Sequence, residues 1–186
     1  GSSATLNNSS TIVTGTFNTG SSVVLNNSSI TGTGTFNAGS SATLDGSTIE
    51  IAAFTNSALT LKNNSSINRF AENHNPTFTN LEVDTSDLAI NNAIVTGTTL
   101  VKRTPDTANL GTLTLNASSK LQGVTTISAN GILNVNGASQ LTGVGNNKAT
   151  ITNGVLNLNS GSSAAEVSTT NSTVTLDNSS SIATGA

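Results

Sequence analysis

Groups able to do acid–base or nucleophilic chemistry are few, and they gather in the middle of the chain. There is one histidine, His74, there are two arginines, Arg69 and Arg103, and there is no cysteine or tyrosine. Residues 62–106 hold nine of the fifteen charged residues, the histidine and both prolines. A serine nucleophile would need His74 as its base and Glu82, Asp84 or Asp87 to orient the ring. Serine is so abundant that one near His74 carries no information, and no G-x-S-x-G elbow occurs. Cleavage of a sugar chain needs two carboxyl groups facing one groove. Glu82 and Asp84 share a face if residues 81–84 (LEVD) form a strand, and they read as solvated positions on its outside. The G-G-x-G-x-D turns of calcium-binding rolls do not occur. Asp45 and Asp177 stand where other repeats carry Asn or Lys, as turn residues do. The reading is of a chain that is not an enzyme, with no catalytic residue, no metal ligand and no cofactor.

Contact chemistry is better represented than catalytic chemistry. Residues 68–76 (NRFAENHNP) and 102–109 (KRTPDTAN) lack strand alternation and read as loops protruding from a repetitive body. Smaller extras are expected at 143–148 and 161–167. Insertions in repeat proteins map to surface loops, often on a binding face. Arg69, Glu72, His74, Lys102 and Arg103 are therefore the candidate partner contacts. A Thr-Gly-Thr stripe at residues 14–16, 31–35 and 96–98 resembles an ice-binding surface, but it is irregular and absent from residues 111–186. Phe17 and Phe36 sit one repeat apart, which favours an internal aromatic stack over a sugar platform.

The body that must position these residues is a repeat. Residues 1–19 (GSSATLNNSSTIVTGTFNT) and 20–38 (GSSVVLNNSSITGTGTFNA) match at thirteen of nineteen positions, and a looser copy starts at Gly39. A period this short indicates a solenoid, whose coils bury their apolar faces only by stacking. Each unit opens on an apolar-x-Leu alternation, the period of a half-buried strand. A run of Asn, Ser, Asp and Gly follows, suited to a turn, and then Ile or Leu opens a second strand. Segments such as TGTFN at 14–18 and 33–37 supply a third. Three short strands per turn describe a parallel β-helix of roughly eight or nine coils, about 40 Å long at the spacing of parallel strands. Helix is excluded by the lack of i, i+3, i+4 apolar spacing. Disorder is disfavoured because hydrophobic residues make up 34% of the chain and charged residues only 8%.

The 186 residues read as one solenoid, and neither end shows a capping element, which suggests part of a longer surface protein. The lack of cysteine excludes a disulfide framework or a thiolate zinc site. No apolar run approaches the ~20 residues of a membrane span. A net charge of −3 with scattered basic residues excludes a nucleic-acid footprint.

Units such as LNVNGASQL (133–141) and LTLNASSKL (113–121), rich in Asn, Gly, Ser and Thr, resemble the passenger domains of bacterial autotransporters and filamentous haemagglutinin-like adhesins. That resemblance implies a right-handed β-helix exported by the type V route to a Gram-negative cell surface and anchored through a C-terminal region outside this sequence. It implies adhesion to a host cell-surface protein or glycan, or to like molecules on neighbouring bacteria. A passive stalk is the alternative, with a polysaccharide-degrading β-helix behind it. The G-D-S-G signature of the proteolytic subgroup is absent.

Overall fold

Alternation sets the strands. In Ser41–Asp45 and Ser57–Lys62, Ala42, Leu44, Leu59 and Leu61 point inward and are buried, while Thr43 and Thr60 face outward. The same pattern repeats around the chain and closes it into a right-handed parallel β-helix of about nine turns. The computed structural model describes residues 1–105 and 110–185. Among these the one helical element is a single 3-10 turn, Gly145–Asn147.

Three sheets surround the core. The first is a thirteen-stranded parallel sheet that runs the length of the rod. It begins with Ser3–Asn7, Ser22–Asn26, Ser41–Asp45, Ser57–Lys62 and Thr77–Asp84. Beyond Thr77–Asp84 it carries two parallel files. Ile94–Val95 pairs with residues 77–78, and Thr99–Lys102 pairs with residues 81–84. The files rejoin in Ser163–Thr170. The second face is built twice. Thr11–Ile12, Gly15–Phe17, Ser29–Phe36, Thr48–Phe54 and Ser66–Phe70 form one five-stranded sheet. Asp87–Asn91, Thr112–Asn116, Ile132–Val135, Val155–Leu158 and Thr173–Leu176 form another. The expected three strands per turn hold in the later coils. In the earlier ones the second and third strands merge, as in Ser29–Phe36, which bulges between Ile30 and Thr33.

The core is a set of columns. Leu25, Leu44, Leu61, Val83, Val101, Ile127 and Ile151 stack in register, and each is inaccessible to solvent. Burying one such side chain stabilises by roughly 1.5–3 kcal/mol. The aromatic stack expected from the repeat is present: Phe17 on Phe36 at 4.9 Å and Phe36 on Phe54 at 4.4 Å, both nearly parallel. Phe78 continues it, tilted, at 5.2 Å.

Corners are made by a left-handed residue followed by a small one. Asn27, Gly46, Asn64, Thr85, Asn130, Asn153 and Asn171 all have positive φ, a region that Asn tolerates and β-branched Thr85 does not favour. The next residues, Ser28, Ser47, Ser65 and Ser86, form a buried ladder in which the backbone N–H groups of the first three donate to the serine hydroxyl of the following coil. Asparagine amides link coils outside, as Asn26 to Asn7, Asn136 to Asn116 and Asn159 to Asn136. Stacked corner residues lie from 17 positions apart (Ser160, Asp177) to 26 (Ala93, Ser119), which is why a strict period fades after the third repeat.

Candidate binding cleft

The two versions of the second face do not join. At one end Ser65 N–H donates to Ser86 Oγ at 3.1 Å, and at the other Ile94 N–H donates to the Pro76 carbonyl at 3.1 Å. Between these seams no ladder connects Ser66–Phe70 to Asp87–Asn91. Residues 65–76 take a longer path between the seams than residues 86–94, and the excess swings outward as the turn at 71–75. A cleft of about 640 Å³ opens there. Two strand edges with unused backbone donors and acceptors flank it.

Arg69, His74 and Asn68, with the turn residues Asn73 and Asn75, line one wall. Ala89, Asn91 and Asn92 line the other. Phe70 is half-buried at the base, with its ring edge-on to Phe54 at 6.5 Å. His74 Nε2 donates to the Phe54 carbonyl at 2.8 Å, which fixes the proton on that nitrogen and holds the turn against the aromatic stack. Asn68 Nδ2 donates to Glu50 Oε2 at 2.5 Å. Arg69 is exposed and, among the described residues, has no ion-pair or hydrogen-bond partner.

Of the five residues singled out from sequence, the cleft brings together Arg69 and His74. Glu72 is exposed on the turn and does not line the opening. Lys102 and Arg103 belong to a different place. The loop expected over 68–76 is shorter than the sequence suggested: Asn68, Arg69 and Phe70 end the strand Ser66–Phe70, and backbone pairing of Arg69 with Ile51 and Phe70 with Ala52 outweighs their poor alternation. Lys102 likewise closes the strand Thr99–Lys102 instead of opening a loop. Residues 106–109 of the second expected loop lie outside the described residues. The extra expected over 161–167 is mostly strand, Ser163–Thr170, whereas 145–147 does form a small excursion.

Lys102 heads a compact polar cluster on the first face. Its Nζ lies 3.0 Å from Glu82 Oε1 and 3.7 Å from Asp84 Oδ2. The hydrogen bond to Glu82 holds the ammonium above its ordinary pKa; partial burial works against this, and the charges of Glu82 and Asp84 add to the rise. Asp84 was expected to be solvated, but it is only 4% exposed. Thr104 covers it, with the backbone N–H donating to Oδ1 at 2.8 Å and the hydroxyl to Oδ2 at 2.6 Å. These carboxylates thus hold down the segment after Lys102.

The threonine stripe spans one pair of coils, Thr16 on Thr35, and ends at the next, where Thr33 pairs with Ile51 and Thr35 with Ala53. Asp177 opens a turn, as expected, whereas Asp45 is the last residue of the strand Ser41–Asp45, just before the corner at Gly46. Asp45 accepts from the Asn63 amide, and Asp177 accepts from Ser160 N–H and from Ser179 and Ser180. Among the described residues no cluster of His, Asp or Glu has a metal-binding arrangement, and no helix is long and apolar enough to cross a membrane. No family model matches the chain, and no curated protein or solved structure matches it.

Sequence reasoning missed the far wall. Asn91 and Asn92 read as an ordinary turn, and only the stacking of coils places them opposite Arg69.

Proposed function

We propose that this chain is an adhesive segment of an extracellular β-helical rod, of the kind autotransporter passengers carry, displayed on a Gram-negative surface and anchored elsewhere in the protein. Its partners on this reading are a host cell-surface protein or glycan, or like molecules on neighbouring bacteria. It does no catalysis and needs no cofactor. The supporting observation is the cleft: the rod opens where the two versions of its second face part, and there a guanidinium and amides without partners among the described residues line the opening. A passive spacer has no use for such an opening, since a mismatch between coils weakens the stack without adding reach.

The test is binding of the purified chain to host cells and clumping of beads coated with it. Saturable binding or clumping is expected. Absence of both would leave the rod as a spacer.

A further inference from the structure

We infer that the cleft between Ser66–Phe70 and Asp87–Asn91 is a binding site for a carboxylate-bearing sugar, a sialic acid or a uronate, with Arg69 taking the carboxylate. The inference rests on the adhesive reading and names the chemistry of its ligand. Arg69 presents a planar fork of donors that matches a carboxylate in two parallel hydrogen bonds. Lys102 is held by Glu82 and Lys148 by Glu166; among the described residues Arg69, Lys62, Arg103 and Lys120 have no ion pair, and of these four Arg69 is the one that lines the cleft, whose lining holds no acid. The amides of Asn73, Asn75 and Asn91 make no hydrogen bond within the described chain, and each offers a donor and an acceptor to adjacent sugar hydroxyls. Phe70 supplies an apolar surface for a sugar ring, and the two unpaired strand edges supply further backbone donors and acceptors.

The shape selects against the obvious competitor. An extended peptide adding to a strand edge needs a groove that runs through, with about 4.8 Å on either side of it. This opening is sealed at Ser65–Ser86 and again at Pro76–Ile94, so a chain entering at one end has no exit. A compact, hydroxyl-rich ligand fits such a closed lens, and its volume lies within the ~300–1,000 Å³ of small-molecule sites.

The experiment is calorimetric titration of the whole 186-residue chain with 3′-sialyllactose, tetragalacturonate and lactose. At least one acidic sugar is expected to bind about tenfold or more tightly than lactose, and which one binds identifies the source of the carboxylate. Arg69→Gln is expected to abolish that preference, and Asn91→Ala to weaken binding several-fold. Both positions are exposed, so thermal unfolding of the variants should match the parent and exclude a folding defect. Equal binding of acidic and neutral sugars, no binding of any, or full retention in Arg69→Gln would overturn the inference. Cell binding by the Arg69→Gln variant separates the two readings. If it persists at full strength, the cleft is not the contact and adhesion stands; if the sugar binds but the parent does not bind cells, the cleft stands and adhesion falls.

Discussion

In the coils before Phe70 the corner between the first two faces is filled by serine, and in most coils after Asp87 it is filled by glycine. Register places Ser28, Ser47, Ser65, Ser86, Gly111, Gly131, Gly154 and Ser172 in one column. The serine version joins coils through side chains: Ser47 Oγ accepts from Ser28 N–H at 3.1 Å and has the Leu25 and Asp45 carbonyls within reach of its proton. The glycine version joins them by close approach. A Cβ on Gly131 would collide with the Val101 carbonyl of the preceding coil, and one on Gly111 with the Val83 carbonyl of the preceding coil. The second corner differs too. Early coils bend within a bulged strand over stacked phenylalanines, whereas later ones turn sharply at Asn92, Ala117, Ala138 and Ser160, all with positive φ. Two coil types that stack well among themselves fit poorly on each other, and the cleft lies at their junction.

Substitutions that separate the two types test this view. The largest effect is expected from Phe36→Ala, about 3–5 kcal/mol of destabilisation in urea unfolding. Amide exchange should then quicken in residues 15–54 and stay slow in residues 112–158, because each coil depends on its neighbours. Gly131→Ala should cost about 3 kcal/mol, since backbone must move to admit the methyl. Ser47→Ala, at the matching corner, should cost about 2 kcal/mol by leaving the Ser28 N–H buried without its acceptor. Equal tolerance of alanine at these two corners would erase the distinction between them. Thr99→Val should raise stability by about 1 kcal/mol, because the Thr99 hydroxyl is buried with no partner among the described residues and valine keeps the shape.

The smallest effect is a pH dependence confined to the later coils. The Ser160 N–H first, then the Ser180 and Ser179 hydroxyls and the Ser179 N–H, hold the Asp177 carboxyl at about 2, below its ordinary 3.8. Because the folded value is the lower one, the carboxylate's contribution is complete above pH 3.8 and disappears as pH falls through about 2. The protection factor of the Ser160 amide should fall across that interval, while that of Ser28 holds. Asp177→Asn should flatten the response.

The fold was legible because its signals are local. Apolar-x-Leu alternation marks strands such as Ser41–Asp45, the Asn-Ser and Asn-Gly runs mark corners, and the spacing of Phe17 and Phe36 gives the aromatic stack. The cleft was only half legible. Charge and lost alternation drew attention to Arg69 and His74, but the opposite wall comes from the next coil, and its Asn91 and Asn92 look like every other turn in the chain. Asp84 misled for a similar reason. Alternation places it on the outside of the strand, where Thr104 and Lys102 of the next coil lie against it. Pattern within a strand reports which way a side chain points, not what the neighbouring coil lays over it.

Mechanically, the rod is braced unevenly. At the junction the first face runs on unbroken while the second is held only at its seams, so bending stiffness is lowest there and a sideways load flexes the rod about the continuous sheet. The opening widens or narrows with the direction of that load, so on the adhesive reading proposed above the grip on an occupant would depend on flow. Retention of a bound bead under increasing shear, compared in the parent and in Arg69→Gln, would measure that coupling.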